Sequence, residues 1–183
     1  MPNDILNLNL FETTVNLELE EASLCNDLIK AILPDELKKI NLIFSNLFNK
    51  KLLTGIDPKV LIVEQFLINL EIVSDETIQQ LNLQYRKKDK TTDVLSFPVH
   101  EDLRNFEKEN FVSGPFLLGD IFICESVAQK QANESGLDLK TELIELYIHG
   151  VLHLMGYDHE ISSEEEKIMY DLEHLIYDQF KDL

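Results

Sequence analysis

An α+β domain, in which a small mixed sheet is packed with helices, is the fold that this chain of 183 residues predicts. Three observations carry that expectation. Some segments alternate apolar and polar residues with period two, as half-buried strands do. Others place apolar residues at helical spacing. The two kinds are interspersed without the regular βαβ alternation of a parallel α/β fold. The length suits one domain with a sizeable core, taken as residues 1–183. No repeat, low-complexity tract or Gly/Ser/Pro-rich linker divides it.

The elements follow in order. Leu6-Asn7-Leu8-Asn9-Leu10 and Val15-Asn16-Leu17-Glu18-Leu19 alternate as strands. Leu24, Cys25, Leu28 and Ile32 fit a helix face; Pro34 then suits the first turn of a second helix, with Leu37, Ile40, Phe44, Leu47 and Phe48 as its apolar stripe. Gly55 and Asp57-Pro58 mark a loop. Phe66, Ile68, Leu70 and Ile72 read as a strand, and Ser74 or Asp75 can cap a short helix through Ile78, Leu81 and Tyr85. Residues 92–99 are β-rich and closed by a proline, hence an edge strand or strand end. Residues 100–115 form a polar loop, Leu118 to Cys124 a strand, and residues 125–134 a short helix. Asp138 can cap a long helix to about Met155. Ser162 and Ser163 before Glu164, Glu165 and Glu166 open the last helix with a capping-box pattern, its acids complementing the helix dipole. Ile168, Leu172, Leu175 and Ile176 are its expected buried face.

Charge narrows the function. Sixteen basic residues stand against 34 acidic ones, a net of −18, which opposes a broad nucleic-acid-binding surface. A local patch is still open: Arg86, Lys87, Lys88 and Lys90 are the densest basic cluster, although such runs are usually solvated turns. The apolar runs are far too short to span a bilayer. The opening Met-Pro-Asn-Asp is no secretory signal, so no membrane and a cytoplasmic location are expected. Cys25 and Cys124 form no CxxC pair and are expected as reduced thiols in or near the core.

The long helix carries the chemistry. Leu143, Leu146, Tyr147, Val151 and Leu154 make one apolar stripe and Ile144, Ile148, Leu152 and Met155 another, so it should be buried. Its one polar stripe is Glu142, Glu145, His149 and His153, and buried polar groups need partners. His149 and His153, four residues apart, share a face of the helix. Gly156 ends the helix and turns the chain so that His159 returns toward the same point. A lone histidine is more often an ordinary core or surface residue. Three of only five histidines within eleven residues, with a glycine where the chain must turn, instead point to one divalent metal ion held by His149, His153 and His159. Three imidazoles suit zinc, nickel, copper or iron; zinc is the expectation. They leave a position open, as catalytic metals require.

The spacing H-x₃-H-x₂-G-x₂-H is also that of the metzincin proteases, in which a glutamate after the first histidine is the general base. Gly150 stands there and has no side chain. Glu142 or Glu145 could substitute only if the geometry allowed it. A metzincin-like metalloprotease is therefore kept as the runner-up reading.

The stretch from His149 to His159, HGVLHLMGYDH, resembles the signature of the YbeY family of bacterial rRNA-maturation endoribonucleases, UPF0054-type metalloproteins. Residues 81–98, LNLQYRKKDKTTDVLSFP, resemble a second block of that family and residues 118–121, LGDI, a third, in the family's order; Thr91 stands where the family usually has proline. The resemblance spans roughly residues 66–180. It implies a zincin-like arrangement with the HxxxH helix buried centrally, and a metal held by His149, His153 and His159. It implies that Arg86 lies in the active-site cleft and matters for activity. It also implies a cytoplasmic role in ribosome maturation and quality control, with single-stranded RNA as substrate. Its partners would be ribosomal RNA precursor and the ribosome or ribosome-associated proteins. Arg86 and His149 are the expected catalytic residues; Arg86, Lys88 and Ser96 are the expected substrate contacts. Arginine can clamp a phosphate bidentately, which lysine cannot. Ser96 could also simply serve its strand, and Asp158 could orient a metal ligand or hold a turn. A third possibility is a non-enzymatic, metal-stabilised ribosome-assembly factor. Neither a general base nor the oligomeric state is readable from the sequence.

Overall fold

Period-two alternation becomes the centre of a sheet. In the computed structural model, which describes residues 15–19, 26–53, 55–56, 65–100, 103 and 115–183, strand β2 (Gln65–Val73) buries Phe66, Ile68, Leu70 and Ile72 on one face. Residues 67, 69 and 71, on the other face, are only partly covered. Strand β1 (Val15–Leu19) and strand β4 (Pro115–Cys124) flank β2 in parallel, and strand β3 (Val94–Pro98) pairs antiparallel with β4. The order is β1-β2-β4-β3, a small mixed sheet with β3 at one edge, as its closing proline predicts. The expected strand at residues 6–10, the helix positions Leu24 and Cys25, and the loop residues Asp57 and Pro58 lie outside the described residues, as does most of the 100–115 loop.

Two sequence expectations are corrected at the next level. The helices expected on either side of Pro34 are one helix, α1 (Asn26–Asn49), with Pro34 inside it. A mid-helix proline forfeits one backbone hydrogen bond and crowds a carbonyl, costing about 3 kcal/mol. Leu37, Ile40, Phe44 and Leu47 are fully buried beyond it, and each is worth roughly 1.5–3 kcal/mol of burial. Tertiary packing outweighs the local break. Strand β4 also starts earlier than expected, at Pro115. It carries a bulge: Leu67 pairs with Leu117 and Ile68 with Gly119, so Leu118 is extra. At Gly119 (φ 152°) an added Cβ would run into the Phe97 carbonyl, so a residue without one lets β3 lie against β4.

Helix α2 (Asp75–Arg86) begins at Ser74, whose hydroxyl accepts from the Thr77 N–H, as the sequence predicts. Helix α3 (Glu125–Ser135) leads into α4 (Leu139–Leu154), capped by Asp138 through the Thr141 N–H at 2.7 Å. Helix α5 (Ser163–Lys181) is capped by Ser162, which accepts from the Glu165 N–H. Its buried face is Met169, Leu172 and Ile176 with Ile168 packed alongside; Leu175, expected inside, is 39% exposed and Met169 takes its place. One apolar cluster joins α1, α4 and α5 to the sheet; a smaller one, with Val73, Ile78, Leu95 and Cys124, lies under α2 and α3. Cys124 is a buried free thiol, held high in pKa chiefly by burial. None of the described helices is long and apolar enough to cross a membrane.

Candidate functional site

Helix α4 is buried on every side but one. Both expected apolar stripes are inside, and Glu142, Glu145, His149 and His153 open together on a cleft of about 1100 Å³. At the helix end Met155 is the cap, Gly156 takes φ 93°, and the Tyr157 N–H donates to the Leu152 carbonyl at 3.1 Å. Tyr157 is itself buried, which fixes where the chain re-emerges. The turn then sets His159 over the helix face. Ring centroids lie 4.6 Å apart for His149 and His153, and 5.2 Å from each of these to His159.

The donor set fits a cation. One nitrogen from each ring lies within 4.8 Å of the other two, and tetrahedral zinc with bonds of about 2.0–2.1 Å needs nitrogens roughly 3.3 Å apart. The Nε2 atoms of His149 and His153 face one another at 3.0 Å. His149 Nδ1 lies 2.7 Å from the Glu173 carboxylate, which turns Nε2 toward the other two rings. The His153 ring is likewise committed to the Tyr157 backbone. Two ring nitrogens this close are held by a shared proton or a shared cation. Burial, together with the neighbouring imidazoles, pushes the pKa of His153 down to about 4, so it is neutral at physiological pH as a ligand must be.

Glu173 is a residue that sequence reasoning missed. It sits on α5 among many acids, with no spacing to single it out, and only the packing of α5 on α4 brings it to His149. A carboxylate behind a ligand histidine fixes tautomer and ring orientation, and its loss typically costs 10–100-fold in metal affinity. Glu173→Gln should therefore weaken divalent-metal binding by about that factor in a competitive-chelator titration, with the fold unchanged by circular dichroism.

Arg86 ends α2 and reaches across to the metal loop. Its Nη2 donates to both Glu160 oxygens, at 3.1 and 3.2 Å, one residue beyond His159. The pair is 41% and 59% exposed, so it contributes at most about 1 kcal/mol, and a phosphate could displace Glu160. Lys88 and Lys90 line the same cleft. Buried Asn82 holds their loop, donating from Nδ2 to the Lys90 carbonyl at 2.8 Å, while Lys87 takes the left-handed C-cap position of α2. Ser96, on β3, also lines the cleft, but its hydroxyl is buried against α4 and has no hydrogen-bond partner among the described residues. Asp158 serves its turn, accepting from the Glu160 N–H at 2.8 Å. The helix wall of the cleft is acidic. Burial, first, and neighbouring carboxylates raise the pKa of Glu142 and of Glu145. His174 lines this wall too, with its ring 4.2 Å from Tyr170.

Gly150 faces the sheet, at Ile121 and Ser96. A Cβ there would stand 2.9 Å from Ile121 Cδ1 and 3.2 Å from Ser96 Oγ. The glycine lets α4 lie directly on β3 and β4, and leaves no room for a metzincin glutamate.

Comparisons with known proteins identify the family. The family model described as Endoribonuclease YbeY matches residues 35–181. The Endoribonuclease YbeY of Sulfurihydrogenibium sp. (strain YO3AOP1) is 42% identical over 141 residues, covering 75% of this chain and 87% of its own. That of Aquifex aeolicus (strain VF5) is 42% identical over 109 residues, covering 60% and 67%. The solution structure of TM1509 from Thermotoga maritima superposes with a TM-score of 0.51 at 26% identity, covering 90% of this chain and 88% of that one. The chain belongs to the YbeY endoribonuclease family.

Proposed function

We propose that this protein is a zinc-dependent endoribonuclease that hydrolyses phosphodiester bonds of single-stranded RNA during rRNA maturation and ribosome quality control. In this reading residues 1–183 act as one domain in the cytoplasm, on ribosomal RNA precursor and with the ribosome or its associated proteins. The observation that carries the proposal is the convergence of three imidazoles, one of them backed by Glu173, on a cleft whose lip is Arg86 and Lys88. His149, His153 and His159 would hold the ion, which supplies Lewis-acid chemistry when bound, polarising a phosphoryl oxygen and making water more acidic. Arg86 exchanges Glu160 for the scissile phosphate and neutralises the charge that gathers on its oxygens in the transition state. Lys88 holds a phosphate as a point charge, and Ser96 completes the floor of the cleft. Glu145 lies one helical turn before His149, on the same stripe, and its raised pKa suits it to take or give a proton in the cleft.

The test is cleavage of rRNA fragments by metal-replete protein freed of contaminating nuclease. Chelation should abolish cleavage and zinc should restore it. Arg86→Lys keeps the charge but loses the planar fork, and should lower kcat/KM by roughly 10-fold or more. Intact RNA after incubation with fully metal-loaded protein would overturn the proposal. Proteolysis is disfavoured by one feature, the packing of Gly150 against the sheet.

A further inference from the structure

Tyr85 is 58% exposed, an unusual placement for a large ring in a cleft wall. It is not loose. Its ring lies 4.8 Å from that of Phe97, tilted by 59°, and Phe97 in turn meets Phe122 edge-on at 5.7 Å. An aromatic row thus runs from the small core under α2 out to the cleft and ends in a ring with an open surface. Its neighbours in sequence and in the cleft are Arg86, Lys88 and Lys90. The opposite wall, formed by α4 and α5, presents Glu142, Glu145 and Glu173.

We infer that Tyr85, braced on Phe97, is a nucleobase-stacking platform that seats one base of single-stranded RNA beside the phosphate held by Arg86. A rigid aromatic ring next to cationic side chains is the combination that binds unpaired nucleotides, because every base has a π-face while the cations track the backbone. The acidic wall repels phosphates, so the strand must come in over the α2 lip, where Tyr85 stands. The ring offers a face and no fitted set of donors and acceptors, so the subsite tolerates any base. Duplex RNA, whose bases are stacked on one another, cannot use it.

The inference rests on the endoribonuclease reading, and its test separates the two. Wild-type protein, Tyr85→Ala and Tyr85→Phe, all zinc-loaded, are assayed on one single-stranded oligoribonucleotide and on a series in which each nucleotide in turn is made abasic. In wild type one abasic position near the cleavage site should raise KM by roughly 10-fold or more. Tyr85→Ala should raise KM for the intact RNA by a similar factor, and the same abasic position should then add nothing. Tyr85→Phe should behave as wild type. Tyr170→Ala, which removes an equally exposed ring outside the cleft, should leave KM unchanged. A 2-aminopurine at the sensitive position should be quenched on binding to wild type and not to Tyr85→Ala. If the two losses simply multiply at every position, or the fluorophore is quenched equally by both proteins, the platform is refuted while the nuclease stands. If wild-type protein neither binds nor cleaves the RNA, both readings fail.

Discussion

His153→Ala protein is expected to lose RNA cleavage by more than about 100-fold, beyond the 10–100-fold typical for loss of a supporting group alone, and to fall well below one bound metal ion per chain. Of the three imidazoles, His153 is the one whose state is most constrained. It packs against both other imidazoles and is neutral at physiological pH because burial and those rings disfavour its charged form. Alanine leaves only His149 and His159, and two imidazoles hold a divalent ion far less firmly than three. Metal content by mass spectrometry, read beside an RNase assay, checks this. Added zinc should restore chelated wild type and should not restore His153→Ala. Unchanged circular dichroism would show that the loss is chemical, since the side chain is only part-buried. A variant that kept full zinc and full activity would remove the three-histidine site from the account.

Gly150→Glu, which would write the metzincin glutamate into the motif, is expected to destabilise the fold strongly without producing a protease. The position faces Ile121 and Ser96, with first contacts at 2.9 to 3.2 Å. Overpacking of that kind costs about 1–3 kcal/mol, and an unpaired carboxylate buried between helix and sheet adds several more. A total of about 4 kcal/mol or more is a large fraction of a domain's net stability, and corresponds to a fall in Tm of roughly 10 °C for a chain of this size. Gly150→Ala separates the two parts. It gains about 1 kcal/mol of helix propensity against the same packing conflict, so thermal melts should place it much nearer wild type. Retained stability in Gly150→Glu would mean that α4 does not lie on the sheet as described.

Much was legible in the residues alone because it depends on neighbours in sequence. Ser74, Asp138 and Ser162 cap their helices through N–H groups three residues on, and such bonds are decided locally. The alternation in β2 chooses its buried face without reference to any other strand. The spacing of His149, His153 and His159 is a local fact too: one helical turn, then a glycine turn. The failures have a different character. Pro34 reads as a helix start, and only burial of the stripe beyond it keeps α1 continuous. Leu175 and Met169 are adjacent in helical pattern to the same face, and the neighbours of α5 decide which is inside.

By itself, then, the sequence determined the three imidazoles, their approximate convergence, the helices that carry them and the basic cluster around Arg86, since each needs only the periods of helix and strand and the turn at Gly156. Tertiary structure alone decided which groups meet the site from far along the chain: Glu173 behind His149, Glu160 on Arg86, the Phe97 brace under Tyr85 and the sheet against Gly150. These contacts join residues on different elements, and no local period encodes the distance between two elements that pack.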